Sequence, residues 1–297
     1  MTVVPVLELG GTHVTAARVD VTEWNVRVGS VVRRGLDSRA DVDEIVATLI
    51  DVCRRVHPHP AQHWVVAAPG PFDYAAGVAW FADVGKFDTL HGFDLGDRMR
   101  RELSCQQVYF VNDAEAFATG QWLSGAARGA RRMVGVTLGT GVGSAWLVDG
   151  LAVFDGPGVP PGGRLDLLDV AGSPLEDLVS RRAILSRYAS LAPDGAKDVD
   201  VVDVARRARF DDSAAARAMR EAMMVLGAVL APRVAAFEAE VLVIGGSIAR
   251  SWDLVGPPLA TAMAEVAAVT GRSVRLVPAS DNESTLLGAV HATVGGR

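Results

Sequence analysis

The sequence predicts an α/β protein that contains an internal duplication. A strand that ends in a glycine-threonine turn occurs twice, at residues 6–12 and 134–143, and a second apolar run follows each turn. Apolar strands then alternate with amphipathic helices in both halves of the chain, which is typical of α/β folds. The chain has 297 residues, of which 49% are hydrophobic and 22% charged, so it can bury a sizeable core.

The first half begins with three valine-rich segments, which predict strands at about 3–9, 14–20 and 26–33. A helix is predicted over 39–56, where apolar residues recur near helical spacing. The remaining elements predicted in this half are a strand at 65–68, a helix at 94–103, a strand at 108–111 and a helix at 114–124.

The second half opens with the other glycine hairpin, and an irregular segment rich in glycine and proline follows it. The elements predicted there are the hairpin at 133–149, helices at 174–188, 200–208 and 213–237, a strand at 241–244, a helix at 251–268, a strand at 274–277 and a helix at 284–293. We place the domain boundary near residue 115. This gives domains 1–115 and 116–281, with the C-terminal helix, about 282–297, packing back on the first domain.

Composition and charge restrict the function classes. The net charge of −6 does not favour a nucleic acid or an anionic membrane as partner. The two cysteines, Cys53 and Cys105, are too few for a disulfide framework and indicate a reducing compartment. No signal peptide is visible, and the uncharged stretch at 222–232 is too short to span a bilayer. We therefore expect a cytoplasmic protein.

The two glycine turns are candidate phosphate-binding sites. Glycine lacks a Cβ and tolerates positive φ, so backbone N–H groups can approach an anion closely. Neither turn is a Walker A sequence, and each is followed by a strand rather than a helix. The predicted phosphate-binding residues are Gly10, Gly11, Thr12, Gly139, Thr140 and Gly141. A third turn, at Gly245 and Gly246, is a candidate site for adenine or ribose, with a simple strand-to-helix turn as the alternative.

Polar residues at two strand ends are candidates for the chemistry. Asp113 ends an apolar strand and could accept the proton of an attacking hydroxyl, while Asn112 could orient the substrate. The alternative is that one of this pair only caps the following helix. Glu8 precedes the first glycine turn and is a candidate Mg²⁺ ligand through water, or otherwise a solvated charge at a strand end.

Six segments together resemble the ROK family (repressors, open reading frames and kinases) of the sugar kinase, hsp70 and actin superfamily. They are LELGGTHVTAARVD at 7–20, VVAAPGPFD at 65–73, GFDLGDRMRREL at 92–103, VYFVNDAEAFATGQ at 108–121, VTLGTGVGSAWLVDG at 136–150 and VLVIGGSIA at 241–249. The resemblance implies a two-lobed, duplicated ribonuclease-H-like (actin-like ATPase) fold with the active site in the cleft between the lobes. It also implies ATP- and Mg²⁺-dependent phosphorylation of a sugar hydroxyl, with Asp113 as base and Asn112 holding the sugar.

One segment departs from the family pattern of Glu-x-Gly-His followed by a zinc-binding cysteine motif. Arg164 falls where the Glu belongs and Leu167 where the His belongs, and no cysteine lies between 106 and 297. We therefore expect no structural zinc. The candidates for acceptor binding are Asn112, Glu176, Gly70 and Arg164. The acceptor is a hexose-like sugar, or alternatively a modified sugar or a cyclitol.

A function of another class is a non-catalytic sugar-sensing regulator. ROK repressors carry a DNA-binding domain before the first glycine turn, and here that turn begins at residue 10, so we expect none. Polyphosphate remains open as an alternative phosphoryl donor. We expect a homodimer with a small-molecule acceptor and without a nucleic-acid or membrane partner.

Overall fold

The chain is described by a computed structural model that covers residues 3–57, 59, 61–82, 85–193, 197–280 and 283–295. It divides into two compact units. The first unit extends to Leu123 and also includes the C-terminal helix, and the second unit is Ser124–Ser280. Among the described helices, none is both long enough and apolar enough to cross a membrane.

The first unit combines a six-stranded sheet with a set of helices. Its elements are β1 Val3–Leu9, β2 His13–Asp20, β3 Asn25–Val26, β4 Val32–Gly35, α1 Val42–Val56, β5 His63–Ala68, β6 Phe72–Asp73, β7 Val78–Ala79, α2 Leu95–Leu103, β8 Gln107–Asn112 and α3 Asp113–Leu123.

The second unit has a five-stranded sheet and a larger set of helices. Its elements are β9 Arg132–Leu138, β10 Val142–Val148, β11 Leu151–Val153, β12 Asp169–Val170, β13 Ser173–Pro174, α4 Glu176–Val179, α5 Arg181–Leu191, α6 Val201–Arg209, α7 Ser213–Ala236, β14 Val241–Gly245, α8 Trp252–Thr270 and β15 Arg275–Pro278. The last helix, α9 Ser284–Val290, belongs to the first unit.

The two main sheets have the same strand order. In the first unit it is β3-β2-β1-β5-β8, with β4 also paired to β2, and in the second it is β11-β10-β9-β14-β15. In both sheets the central strand, β1 or β9, forms an antiparallel hairpin on one side and a parallel pair on the other. This shared topology confirms the internal duplication predicted from the repeated glycine turns.

Helices α3 and α9 pack backbone against backbone. A Cβ added at Gly120 would lie 1.9 Å from the Ser284 carbonyl oxygen, and one added at Gly288 would lie 1.9 Å from that of Ala116. Only glycine allows so close an approach. Since all of α3 packs with α9, the whole helix belongs to the first unit, which ends at Leu123. The boundary predicted near residue 115 is therefore too early.

Two predicted elements differ from those observed. The strand predicted at 26–33 is split into β3 and β4, because Gly29 has a φ of +72° and turns the chain between them. The helix predicted at 174–188 is broken into α4 and α5 at Ser180, whose backbone is extended and whose Oγ accepts from the Ala183 N–H. The Ser180 side chain therefore acts as an N-cap that starts a new helix.

The sheet of the first unit buries apolar residues on both faces. The face toward α1 and α2 includes Leu7, Leu9 and Val14. The opposite face includes Val4 and Val6, which pack in a separate cluster with residues of α3 and α9. Successive side chains of β1 point to opposite faces, so Glu8 lies on the α3–α9 face, next to the C-terminal end of the strand.

Candidate functional site

The first glycine turn is a tight connection between β1 and β2. The Gly10 N–H donates to the His13 carbonyl at 2.9 Å, and the Leu36 N–H donates to the Thr12 carbonyl at 2.9 Å. Within the described residues, the N–H groups of Gly11 and Thr12 donate no hydrogen bond. These two amides, unlike that of Gly10, are therefore available to an external acceptor.

The glycines of both phosphate turns have ordinary backbone angles. None of Gly10, Gly11, Gly139 and Gly141 has a positive φ. At Gly10 and Gly141 glycine is required by close packing instead, because an added Cβ would lie 2.9 Å from the His13 carbonyl oxygen and 2.5 Å from Oε2 of Glu176.

Glu8 and Asp113 form a pair of neighbouring carboxylates in the first unit. The pKa of Glu8 is raised from its ordinary value of 4.5 to about 7, first by burial and then by the negative charge of Asp113. The positive charge of Arg33 acts in the opposite direction and lowers the pKa of Glu8. Glu8 is thus a half-buried carboxyl in an acidic environment rather than a solvated strand-end charge.

Asn112 caps α3, the role that we predicted for one of Asn112 and Asp113 as the alternative to chemistry. Its Oδ1 accepts from the N–H groups of Ala114 at 3.0 Å and Glu115 at 3.2 Å. Its Nδ2 donates to the Tyr74 hydroxyl at 2.8 Å, and that hydroxyl donates to the Ala68 carbonyl at 3.3 Å. The amide orientation of Asn112 is therefore fixed from both sides, with one N–H of Nδ2 left for another partner.

Asp113 is the first residue of α3 and is half-buried. Its Oδ1 accepts from the Ala114 N–H at 2.8 Å. The positive end of the helix dipole favours a carboxylate at this position. Asp113 is thus held at the end of β8, beside Glu8, in a position where a carboxylate is stable.

The Glu8 carboxylate is the predicted magnesium ligand of the first unit. Mg²⁺ in phosphoryl-transfer sites is held by one or two carboxylates together with substrate phosphates, and Glu8, just before the first glycine turn, could supply one such carboxylate. Across the described residues, no cluster of three or more His, Cys, Asp and Glu side chains could hold a metal. Both cysteines are buried in the first unit, and burial raises the pKa of the Cys53 thiol.

The second glycine turn is supported from two sides within the second unit. The Gly139 N–H donates to the Gly141 carbonyl at 3.0 Å, and the Gly139 carbonyl accepts from the Arg181 N–H at 2.9 Å. The Val142 N–H donates to Oε2 of Glu176 at 2.8 Å. A Cβ at Gly141 would lie 2.5 Å from the same oxygen, so the Glu176 carboxylate packs directly on this turn.

The third turn lies against the second. Gly246 has a φ of +87°, and a Cβ there would lie 2.2 Å from the Leu138 carbonyl oxygen. The Ser247 Oγ lies 3.5 Å from the position of a Cβ at Gly139. The turn thus borders a cavity of about 160 Å³, whose lining includes Arg181, Asp200, Val202, Ser247, Ile248 and Arg250.

The segment that departs from the family pattern is ordered by internal contacts. Arg164 donates from Nε and Nη2 to the two carboxylate oxygens of Asp166, at 2.9 and 2.5 Å. The Ser144 Oγ donates to the Gly163 carbonyl at 2.6 Å, and the Asp166 carbonyl accepts from the Glu176 N–H at 3.1 Å. Arg164 is therefore directed onto Asp166, in a bidentate pair that the sequence did not indicate.

The structure places the predicted residues in two groups. Glu8, Asn112, Asp113 and the first glycine turn lie at strand ends of the first unit, as does Gly70, shortly after β5. The other group, in the second unit, comprises Gly139, Thr140, Gly141, Gly245, Gly246, Glu176 and Arg164. Leu167 is 62% exposed. Asp83 and Asp88 are weak substitutes for the asparagine that the family usually has before Gly92; Asp88 is exposed at the start of a 3₁₀ turn, and Asp83 lies outside the described residues.

Sequence reasoning missed three residues of these groups. Tyr74 orients Asn112, Ser144 fixes the 163–165 segment, and Arg33 acts on Glu8. Arg33 ends the strand predicted at 26–33, but Glu8 is distant in the sequence, so no local pattern links the two residues. Nothing local indicates Tyr74 or Ser144, because their partners are distant in the sequence.

Comparison with known proteins identifies the family of the chain. The ROK family profile matches residues 5–293. The glucokinase of Thermotoga maritima is 28% identical over 217 residues, which are 65% of this chain and 66% of that protein. The matches span between 29% and 66% of the length of the curated relatives.

Two solved structures share the fold over nearly all of the chain. A ROK family glucokinase from Streptomyces griseus, in complex with glucose and AMPPNP, has a TM-score of 0.80 at 21% identity and covers 99% of this chain and 100% of that one. A ROK hexokinase from Thermus thermophilus has a TM-score of 0.78 at 23% identity, with 99% and 98% covered. The predicted duplicated, actin-like ATPase fold is thereby confirmed. The chain belongs to the ROK family.

Proposed function

We propose that this protein transfers the γ-phosphoryl group of ATP to a hydroxyl group of a hexose-like sugar, with Asp113 as the general base. The observation that carries the proposal is the position of Asp113 at the end of β8, beside Glu8, in a chain of the ROK family. Relatives described as glucokinases support a sugar as the acceptor.

The proton-transfer step uses the residues at the start of α3. Asp113 accepts the proton of the acceptor hydroxyl as that oxygen attacks the γ-phosphorus atom and the bond to the β-phosphate oxygen breaks. Asn112 has one free N–H for the acceptor, because its Oδ1 and its other N–H are engaged by α3 and Tyr74. Its rigid orientation makes it a positioning donor rather than an adaptable one.

Amides and hydroxyl groups of the two glycine turns are the proposed phosphate-binding groups. In the first unit these are Gly11 and Thr12, and in the second they are Thr140 and Gly141. The cavity beside Gly246 and Ser247 is the proposed site for the nucleoside end. Mg²⁺, when bound near Glu8 and Asp113, supplies positive charge that offsets the charge developing on the transferred group.

Acceptor selection is proposed to depend on Glu176, Arg164 and Gly70. Since Oε2 of Glu176 accepts from the Val142 N–H, Oε1 is the oxygen available to a ring hydroxyl. Arg164 stands at the position of the family's glutamate and is paired with Asp166. This ion pair offers an acceptor both hydrogen-bond donors and hydrogen-bond acceptors, whereas a glutamate carboxylate offers only acceptors. We therefore keep a modified sugar or a cyclitol as alternative acceptors to an unmodified hexose. The homodimer stays a prediction.

The test is a screen of hexoses, acylated amino sugars and cyclitols for acceptor-dependent ADP release with ATP and Mg²⁺, followed by NMR identification of the product. The proposal expects turnover with at least one acceptor. Asp113→Asn should reduce kcat by more than about a hundredfold, since general base catalysis contributes roughly 10²–10⁴. ATP binding should persist in this variant.

Asp94→Asn is a matched control for the Asp113 variant. Asp94 is also a carboxylate at a helix start in the first unit, where it accepts from the Asp97 N–H at 2.7 Å. Its substitution should leave kcat unchanged. More than a tenth of wild-type kcat in Asp113→Asn would contradict the base assignment. Absence of acceptor-dependent turnover across the panel would favour a sugar-sensing regulator instead.

A further inference from the structure

Strand β4 carries two consecutive arginines that face opposite sides of the sheet. Arg34 donates from Nη1 to Oδ2 of Asp51 on α1, at 2.7 Å. Val32 packs on the same side, in the cluster below α1. Because side chains alternate along a strand, Arg33 faces the side of the sheet that also carries Glu8.

The strand register places Arg33 in one row with Glu8. Arg33 is the cross-strand partner of Thr15 on β2, and Thr15 is in turn the partner of Glu8 on β1. The end of β4 also runs beside the first glycine turn, since the Leu36 N–H donates to the Thr12 carbonyl. The Arg33 guanidinium is thus an exposed cation at the edge of the proposed phosphate site.

The charges around this site are unbalanced. Glu8 and Asp113 are both acidic, and a polyphosphate held by Gly11 and Thr12 would add further negative charge beside them. Most arginines of the first unit have carboxylate partners, but Arg33 forms no ion pair within the described part of the chain. A guanidinium matches phosphate oxygens well in both charge and geometry.

We propose that Arg33 is a further phosphate-binding residue of the first unit, which contacts the terminal phosphate of the nucleotide donor. The inference rests on the proposed use of ATP. Strand β4, which lies outside the six segments that resemble the family, would then bind the nucleotide donor directly. Arg34, on the opposite face, has no such part.

The test is calorimetric titration of the wild-type protein, Arg33→Gln and Arg34→Gln with ATP, ADP, inorganic tripolyphosphate and adenosine, in the presence of Mg²⁺. Arg33→Gln should weaken ATP and tripolyphosphate binding about three- to tenfold, the range for one charge-assisted contact that remains partly hydrated. ADP should be affected less and adenosine not at all. Arg34→Gln should match the wild type for every ligand.

Arg33→Lys should retain most of the tripolyphosphate affinity, because the charge is kept. Equal ATP affinities for Arg33→Gln and the wild type, or an equal loss for adenosine, would overturn the inference, as would a wild-type protein that binds neither ATP nor tripolyphosphate. The titrations contain no acceptor, so a failure of sugar phosphorylation would contradict the proposed reaction without affecting this result.

Discussion

Replacement of Glu8 by glutamine should stabilise the protein at neutral pH while impairing phosphoryl transfer. Folding moves the pKa of Glu8 from 4.5 to about 7, so the folded state favours the protonated form. Below pH 4.5 both states hold the proton, and Glu8 then costs no stability. As the pH rises toward 7 the unfolded chain loses this proton before the folded one, and stability falls.

The magnitude follows from the two pKa values. A difference between 4.5 and about 7 corresponds to roughly 3 kcal/mol above pH 7, because one pKa unit is about 1.4 kcal/mol. Part of this is offset in the variant, since the glutamine amide must be hydrated or hydrogen-bonded in the same place. We therefore expect Glu8→Gln to exceed wild-type stability by about 1–3 kcal/mol at pH 8 and by little at pH 4.5.

The assay is urea unfolding at a series of pH values between 4.5 and 8.5, without Mg²⁺ or nucleotide. Glu23→Gln is the control, because Glu23 is exposed in the same unit and its substitution should leave the pH profile unchanged. A Glu8→Gln profile that runs parallel to that of the wild type would refute the reasoning. Loss of Mg²⁺-dependent turnover in the same variant is the functional counterpart.

Two other substitutions test the packing around the candidate site. Gly246→Ala should destabilise the second unit by at least about 2 kcal/mol in thermal unfolding, because the new Cβ would meet the Leu138 carbonyl. Gly271→Ala should cost about 1 kcal/mol, because Gly271 has a positive φ but open space around it. A smaller loss at 246 than at 271 would contradict the close approach. Tyr74→Phe removes the hydroxyl that holds Asn112 and should raise KM for the acceptor severalfold with less change in KM for ATP; an equal effect on both would argue against a role at the acceptor.

The features that could be predicted from the sequence are those set by neighbouring residues. The glycine turns, the strands before them and the position of Asp113 at a strand end all follow from local patterns of apolar and small residues. The repeated pattern also predicted the duplication. The division of 26–33 into two strands was missed, because a single glycine with positive φ outweighed the strand propensity of the valines around it.

The missed contacts at the candidate site join residues far apart in the chain. Tyr74 reaches Asn112 across 38 positions, and Ser144 reaches Gly163 across 19. Such pairs depend on the tertiary packing of loops, which carries no periodic signal. The face of Arg33 could likewise be assigned only after the register of β4 against β2 was known.

The return of α9 to the first unit constrains the order in which the chain can assemble during its synthesis. The second unit is one continuous segment and can bury its core before α9 has been made. The first unit cannot, because Leu286, Leu287 and Val290 cover the sheet face that holds Val4 and Val6. The sheet of the first unit therefore keeps an open apolar face until α9 has left the ribosome, and the first unit is completed after the second.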